Sequence, residues 1–210
     1  MTKISKETVV CPRCEYWEAF MKYDSVNVTL NPKLRNKVMS GSIFDWTCPE
    51  CGEKLSVRYN LLYHDMDKAF QVYYAPKSCT ETNEMVNKLH AKYPSIRTLC
   101  RTVGTLNELR EKILIFENGL NDIAIELIKI VVKYDKENNI PEECELRFEK
   151  IIKDKHLIFR RIINDEPQEG FILFAKTNYD NFLNEVTTNK KFKMTQYCDT
   201  IDEKWIVEHM

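Results

Sequence analysis

The residues in this chain whose types and spacing can do chemistry are Cys11-Pro12-Arg13-Cys14 and Cys48-Pro49-Glu50-Cys51-Gly52. Two residues between the cysteines of a pair let both sulfurs face one ion, and proline after the first cysteine fixes a tight turn. Two such pairs supply the four thiolates of a closed tetrahedral site, so Cys11, Cys14, Cys48 and Cys51 are predicted to bind one metal ion per chain. Thiolates at this spacing suit Zn2+. A rubredoxin-like iron centre uses the same ligands, and a redox-active C-x-x-C pair is a third reading. The redox reading is the weakest, because a reactive thiolate usually gains its low pKa at a helix N-terminus and strands flank both pairs. Four protein ligands leave no open position for substrate, so the expected role of the metal is structural.

Other groups are candidates for chemistry. Tyr63-His64-Asp65 falls at a predicted hairpin tip, where His64 would titrate near neutrality and Asp65 could fix its tautomer for acid–base work. A turn aspartate beside a surface histidine is the simpler reading. Glu108, Arg110, Glu111 and Lys112 could form a charged binding face with Asp122, although charge along an amphipathic helix is ordinarily a solvated surface. Lys150, Lys153, Lys155, Arg160 and Arg161, with Lys190, Lys191 and Lys193, lie near Phe148, Phe159 and Phe192. Such a set could hold single-stranded nucleic acid by stacking and phosphate contact. Glu145, Glu149, Asp154, Asp165 and Glu166 interleave with them and favour a mixed solvated face. The remaining cysteines, Cys79, Cys100, Cys144 and Cys198, are scattered and read as small buried hydrophobes. No Gly-rich phosphate loop, G-x-S-x-G or H-E-x-x-H motif marks the chain as an enzyme.

Composition narrows the classes. The 210 residues are 43% hydrophobic and 30% charged, the profile of a globular protein with one good-sized core or two small ones. With 31 Lys plus Arg against 32 Asp plus Glu, no global positive field draws nucleic acid or anionic lipid. The apolar stretch from Ile123 to Val132 is broken by Glu126 and Lys129 and is too short to span a bilayer. Two lysines within Met1 to Lys6, with no apolar run after them, argue against a secretory signal, and a cytoplasmic location is expected.

The elements that must position the cysteines follow from periodicity. Strands at 8–10 and 16–20 flank the first pair, and 43–46 and 54–59 flank the second, which puts each pair at the tip of a hairpin, as in a zinc ribbon. Gly52 can take the left-handed conformation that turns backbone amides toward the thiolates, and Glu15 holds the matching place in the first pair. Between the pairs, 24–30 reads as a strand, and Asn31-Pro32 opens a helix that closes at Gly41, with Leu34 and Val38 inward. A hairpin at 61–64 and 70–74 completes an antiparallel sheet.

A helix over 82–93 follows, with Met85, Val86, Leu89 and Tyr93 inward, and then a strand over 95–103. Thr105-Leu106-Asn107-Glu108 is a capping box for a helix that buries Leu106, Leu109, Ile113 and Phe116. The next helix, about 121–133, is apolar over most of its surface. One core contact cannot hide it, so Ile125, Ile130 or Val132 is expected at a homodimer seam or against the C-terminal unit. The polar run 135–139 reads as a linker. Beyond it come a meander at 145–152, 157–163 and 171–175 with a turn at 167–170, a capped helix at 177–186, a strand over 191–197 and a capping box at 200–203.

Cys11-Pro-Arg-Cys14, the strand Asp24-Ser-Val-Asn-Val-Thr-Leu30, Cys48-Pro-Glu-Cys51-Gly52, Leu61-Leu-Tyr-His-Asp65 and Asn107-Glu-Leu-Arg-Glu-Lys-Ile113 together resemble the bacterial and archaeal CpXC family over about residues 7–134. The resemblance implies a zinc-ribbon-like N-terminal domain and brings no activity with it. The expected architecture is therefore α+β. A CpXC domain at 1–135, with its sheet at 7–76 and helical part at 80–134, precedes a smaller α+β unit at 141–210. The expected function is that of a zinc-stabilised binding or scaffold protein acting on a protein partner. A nucleic-acid-binding zinc-ribbon module and an enzyme using His64 and Asp65 are the alternatives.

Overall fold

A computed structural model of the chain describes residues 1–94, 98–164 and 166–210. In chain order the elements begin with β1 (Lys3–Val10), β2 (Trp17–Asn27), α1 (Lys33–Ser40), β3 (Asp45–Thr47), β4 (Lys54–Ser56), β5 (Leu61–Asp65), β6 (Phe70–Tyr74), α2 (Cys79–Lys92) and β7 (Leu99–Val103). They continue with α3 (Leu106–Glu117), α4 (Asp122–Tyr134), β8 (Glu145–Ile152), β9 (His156–Ile163), β10 (Glu166–Ala175), α5 (Lys176–Thr188), β11 (Cys198–Asp199) and α6 (Glu203–His209). The fold is α+β, as expected. Two compact units form, one from Met1–Arg110 with Tyr197–Asp199, the other from Glu111–Gln196 with Thr200–Met210. The boundary lies inside α3, and the polar run at 135–139 falls within the second unit.

The first unit is built on a six-stranded sheet in the order β1-β2-β5-β6-β7-β11. Its hairpins β1–β2 and β5–β6 are antiparallel, whereas β2–β5, β6–β7 and β7–β11 pair in parallel, so the sheet is mixed. The parallel joins follow from the crossovers: the chain passes through α1 and the β3–β4 hairpin before β5, and through α2 before β7. Period-2 burial along β5 sends Leu61, Tyr63 and Asp65 to the buried face. Phe44 packs against Tyr59 and Tyr74 at ring separations of 4.9 and 5.3 Å, and the Tyr59 hydroxyl donates to the Ile43 carbonyl.

Several local expectations change in this unit. The strands expected at 16–20 and 24–30 are one continuous β2 ending at Asn27, because the Asn27 side chain accepts from Leu30 N–H and turns the chain there. Residues 42–44 form a 3-10 turn ahead of a short β3, and β4 stops at Ser56. Pro32 rather than Asn31 precedes the first turn of α1, with no side-chain cap, while Gly41 closes the helix at φ 87° as expected. The α2 helix starts earlier, on a Ser78 cap, and buries Thr82 and Val86, leaving Met85, Leu89 and Tyr93 exposed. The strand expected at 95–103 is seen from Leu99, and residues 95–97 lie outside the described ones.

The second unit packs α4 against α5, α6 and β8, beside a β10-β9-β8 meander. Ile125, Ile130 and Val132 are buried within the chain, so the exposed stripe that suggested a dimer seam is absent, and only Val131 on α4 is a large exposed apolar residue besides the terminal Tyr134. Residues 167–170 sit within an irregular stretch of β10 instead of forming a turn. α5 has no side-chain cap, 190–192 is a 3-10 turn with only Cys198–Asp199 extended after it, and Asp202 rather than Thr200 caps α6.

The largest departure is in the charged residues of α3. Glu111 and Lys112 are buried together with Asp122 and Glu126. Lys112 Nζ lies 3.1 Å from Asp122 Oδ2 and 3.2 Å from Glu126 Oε1. Lys129 Nζ lies 2.8 Å from Glu126 Oε2 and 3.2 Å from Glu111 Oε1, and the Phe148 N–H of β8 donates to that same Glu111 oxygen at 2.7 Å. Burial pushes the Glu111 carboxyl up against the pull of Lys129. Burial also opposes ionisation of Glu126 and Lys112, but Lys129 and Lys112 hold Glu126 below the usual range, and Asp122 and Glu126 hold Lys112 above it. Glu126 therefore contributes stability above the ordinary glutamate value, lost as pH falls through its folded pKa. Lys112 contributes stability throughout neutral pH, lost only as pH rises past the ordinary lysine value.

Lys112→Met should lower the unfolding free energy by about 3–5 kcal/mol, since it takes from the buried Asp122 and Glu126 carboxylates the ammonium that bridges them. Urea denaturation against Lys88→Met, at an exposed helix position, measures it; equal losses in the two variants would show that the cluster is not holding the unit together.

Candidate metal centre

Each cysteine pair occupies a tight turn between paired strands, and the two turns are built alike. In the first, at the β1–β2 tip, Cys11 N–H donates to Tyr16 O at 2.8 Å and Glu15 N–H to Cys11 O at 3.0 Å. In the second, at the β3–β4 tip, Cys48 N–H donates to Glu53 O at 2.8 Å and Gly52 N–H to Cys48 O at 3.0 Å. The matching fifth positions, Glu15 and Gly52, are both left-handed, at φ 61° and 73°. Gly52 adopts this without cost, whereas Glu15 carries strain that the turn must hold.

Two contacts bring the turns together. The indole N–H of Trp46 on β3 donates to Glu18 Oε1 on β2 at 2.6 Å, tying the hairpins below the tips. Arg13 and Glu53 face each other at 3.7 Å beside the sulfurs. The result is a cluster in which all four Sγ atoms lie within 4.8 Å of one another, with Cys11–Cys51 at 3.5 Å and Cys14–Cys48 at 3.6 Å. Sulfurs about 2.3 Å from a tetrahedral ion would stand about 3.8 Å apart, so the donor set fits a metal ion without rearranging the turns. Cys11 and Cys48 are buried, Cys51 is half-buried and Cys14 is exposed, so one edge of the cluster faces solvent.

The thiols do not ionise independently. Desolvation works to raise Cys11, but the N–H groups of Arg13 and Cys14 and the Cys51 thiol bring it down to about 7. The Tyr16 N–H favours a Cys14 thiolate, yet desolvation and the neighbouring sulfurs push it up to about 12. One thiolate thus forms readily and resists the next, and a bound cation is what allows all four to carry charge.

The other candidates are placed differently. His64 and Asp65 are neighbours on one strand and point to opposite faces; the Asp65 carboxylate accepts from Lys68 N–H at 3.0 Å and so builds the β5–β6 turn. Burial lowers the His64 pKa, with Asp65 opposing. Glu108 caps its own helix by accepting from the N–H groups of Gly104 and Thr105, and Arg110 donates to the Met39 carbonyl at 2.8 Å. Phe148, Phe159 and Phe192, the aromatics expected beside the basic residues, are buried in the core. The structure also joins Cys100 to Cys198, a pairing that no local spacing announces.

Fold and centre define an α+β protein with a two-turn, four-cysteine site able to hold a metal ion. A family model described as CpXC protein matches residues 9–129, more than half of the chain, and the chain belongs to the CpXC family. Comparison with curated proteins and with solved structures gives no match.

Cys48→Ser should abolish stoichiometric metal binding, while Cys144→Ser, at a buried cysteine of the second unit, should leave it intact. Metal titration with a chromophoric competitor reads both, and wild-type affinity in Cys48→Ser would remove the cluster as the binding site.

Proposed function

We propose that the chain is a zinc-stabilised binding or scaffold protein that acts through a protein partner, with one structural Zn2+ held by Cys11, Cys14, Cys48 and Cys51. The observation that carries this reading is the surface beside the cluster. Trp17 is 69% exposed and its cross-strand partner Val10 is 57% exposed, immediately after and before the first cysteine turn. Ala19, Met21 and Ile4 continue the same outer face along β1 and β2, with Thr8 and Lys6 interleaved on β1. Exposed apolar side chains grouped on one face mark interaction sites, and tryptophan is among the side chains most enriched at their energetic centres. A shallow cleft lined by Cys14, Glu15, Tyr16, Trp17 and Glu50 opens where the face meets the cluster. The metal would make that face rigid, since it fixes the turn from which both strands emerge.

Zinc is favoured because four thiolates at this separation match its tetrahedral preference and a structural site needs no redox change. The balance of charge and the burial of the candidate stacking aromatics weigh against nucleic acid. The divergence of His64 and Asp65 weighs against an acid–base enzyme. A reducing, cytoplasmic compartment goes with this reading, since it keeps a four-thiolate site from oxidation. Among the described residues no helix is long and apolar enough to cross a membrane.

Elemental analysis of protein purified without chelator should find one zinc per chain; a red, iron-containing product would favour the rubredoxin-like alternative. Trp17→Asp should keep its zinc and thermal midpoint yet lose at least about tenfold in recovery of specific partners from the native host, as expected for an interface hot spot. Equal recovery with Trp17→Asp, or a salt-sensitive shift on single-stranded nucleic acid that survives it, would overturn the reading.

A further inference from the structure

Cys100 and Cys198 stand 98 positions apart in sequence and directly opposite each other in the parallel β7–β11 pair. Their Sγ atoms are 2.7 Å apart, so little side-chain movement separates the two thiols from bonding distance. Both are fully buried with Val86, flanked by Tyr73 and Tyr197. The second sulfur has a further neighbour in the Thr102 hydroxyl at 3.4 Å. The far side of β11 is held by one residue of α2: Asn87 Nδ2 donates to Cys198 O and Asn87 Oδ1 accepts from Cys198 N–H, both at 2.9 Å. A side-chain amide thus stands in for a neighbouring strand and holds the Cys198 backbone in register with Cys100.

We propose that Cys100 and Cys198 are a dithiol–disulfide couple, a covalent modification site that closes on reaction with a small-molecule disulfide of the glutathione class. β11 is two residues long, so opening it to expose the pair breaks few backbone bonds. The hydrogen bonds from Cys100 and Thr102 lower the Cys198 thiol, whereas its bond to Cys198 and its burial raise Cys100, so Cys198 is the attacking group. The Cys198 thiolate forms a bond to one sulfur of the small disulfide and its S–S bond breaks, releasing one small thiol that takes up the Cys198 proton. Cys100, giving its proton to the second leaving thiolate, then attacks Cys198 Sγ and completes the bond. Two electrons pass from the two cysteines to the small disulfide, which leaves as two thiols. The bond encloses the stretch Glu111–Gln196 and makes the return of the chain to the first sheet covalent. In a reducing compartment the couple rests as the dithiol.

The test uses full-length, metal-loaded protein equilibrated in mixtures of reduced and oxidised glutathione, then alkylated, digested and mapped by mass spectrometry. A linked Cys100–Cys198 peptide should accumulate, with loss of two hydrogens, before the four metal-site cysteines react. The thermal midpoint should rise by about 10 °C, as expected for closing a loop of this length. Cys198→Ser should show neither link nor rise. The mapping of the wild-type chain decides the matter even where that variant folds poorly. Recovery of Cys100 and Cys198 as alkylated thiols in the most oxidising mixture, or linkage of either to Cys79 or Cys144, overturns the proposal.

Discussion

Four thiolates within 4.8 Å repel one another strongly unless a cation sits among them, and the arrangement of the N-terminal unit is organised around that constraint. Neither cysteine turn can supply more than two sulfurs. The second must be delivered to the first by a separate hairpin, and the chain between them is shaped by the delivery. α1 and the 3-10 turn carry the chain from β2 to β3, and the Trp46–Glu18 hydrogen bond sets the height at which the two tips meet. The ring packing of Phe44 against Tyr59 and Tyr74 then anchors the second hairpin to the sheet. A four-cysteine tip able to hold a metal ion and an aromatic base stand at the two ends of this small β3–β4 hairpin, whose three-residue strands could not fix it by themselves.

What the sequence made legible was local. The cysteine spacing, the Gly41 stop, the Thr105–Glu108 cap, the helix at about 121–133 and the strands at 61–64 and 145–152 each depend on residues within a few positions of one another, and the structure repeats them. The misreadings share another cause. Met85, Leu89 and Tyr93 recur at helical spacing and look like a core stripe, yet the face of α2 that packs is the one bearing Thr82, Val86 and the Asn87 amide. Periodicity shows that a helix has an apolar side, but which side meets the sheet is decided by strands contributed from elsewhere. The buried pair Cys100 and Cys198, apart from the two metal-site pairs, has no local signature because its geometry is a sheet register.

The charge cluster around Lys112 shows the same limit from the polar side. Read along α3, Glu111 and Lys112 look like an ordinary solvated face. Read along α4, Asp122, Glu126 and Lys129 at spacings of four and three are the only charged residues on that helix before Lys133. A charged stripe on an otherwise apolar helix was the available signal, since such residues must either reach water or find one another. They find one another. Glu111 also receives the Phe148 N–H, so the cluster fixes a strand as well as two helices and supplies a directionality that apolar packing of Ile, Leu and Val does not. Whether it adds net stability over a hydrophobic equivalent is a separate matter from its role in setting how these elements register, because desolvation offsets much of the Coulomb attraction.

The chain leaves the first unit within α3 and rejoins it only at Tyr197–Asp199. Ordering those three residues costs on the order of 1–2 kcal/mol each in backbone entropy, while a backbone hydrogen bond returns only about 1 kcal/mol net. A two-residue parallel pairing with β7 therefore does not hold the segment in place unaided. Burial of Cys198 against Cys100 and Val86, the stacking of Tyr197 on His90 at 3.7 Å and the two hydrogen bonds with the Asn87 amide must supply the difference. The joining of the last part of the chain to the first sheet thus rests on Cys198, the Asn87 amide and the Tyr197–His90 stack, residues that composition and periodicity pass over because their importance comes from what stands opposite them.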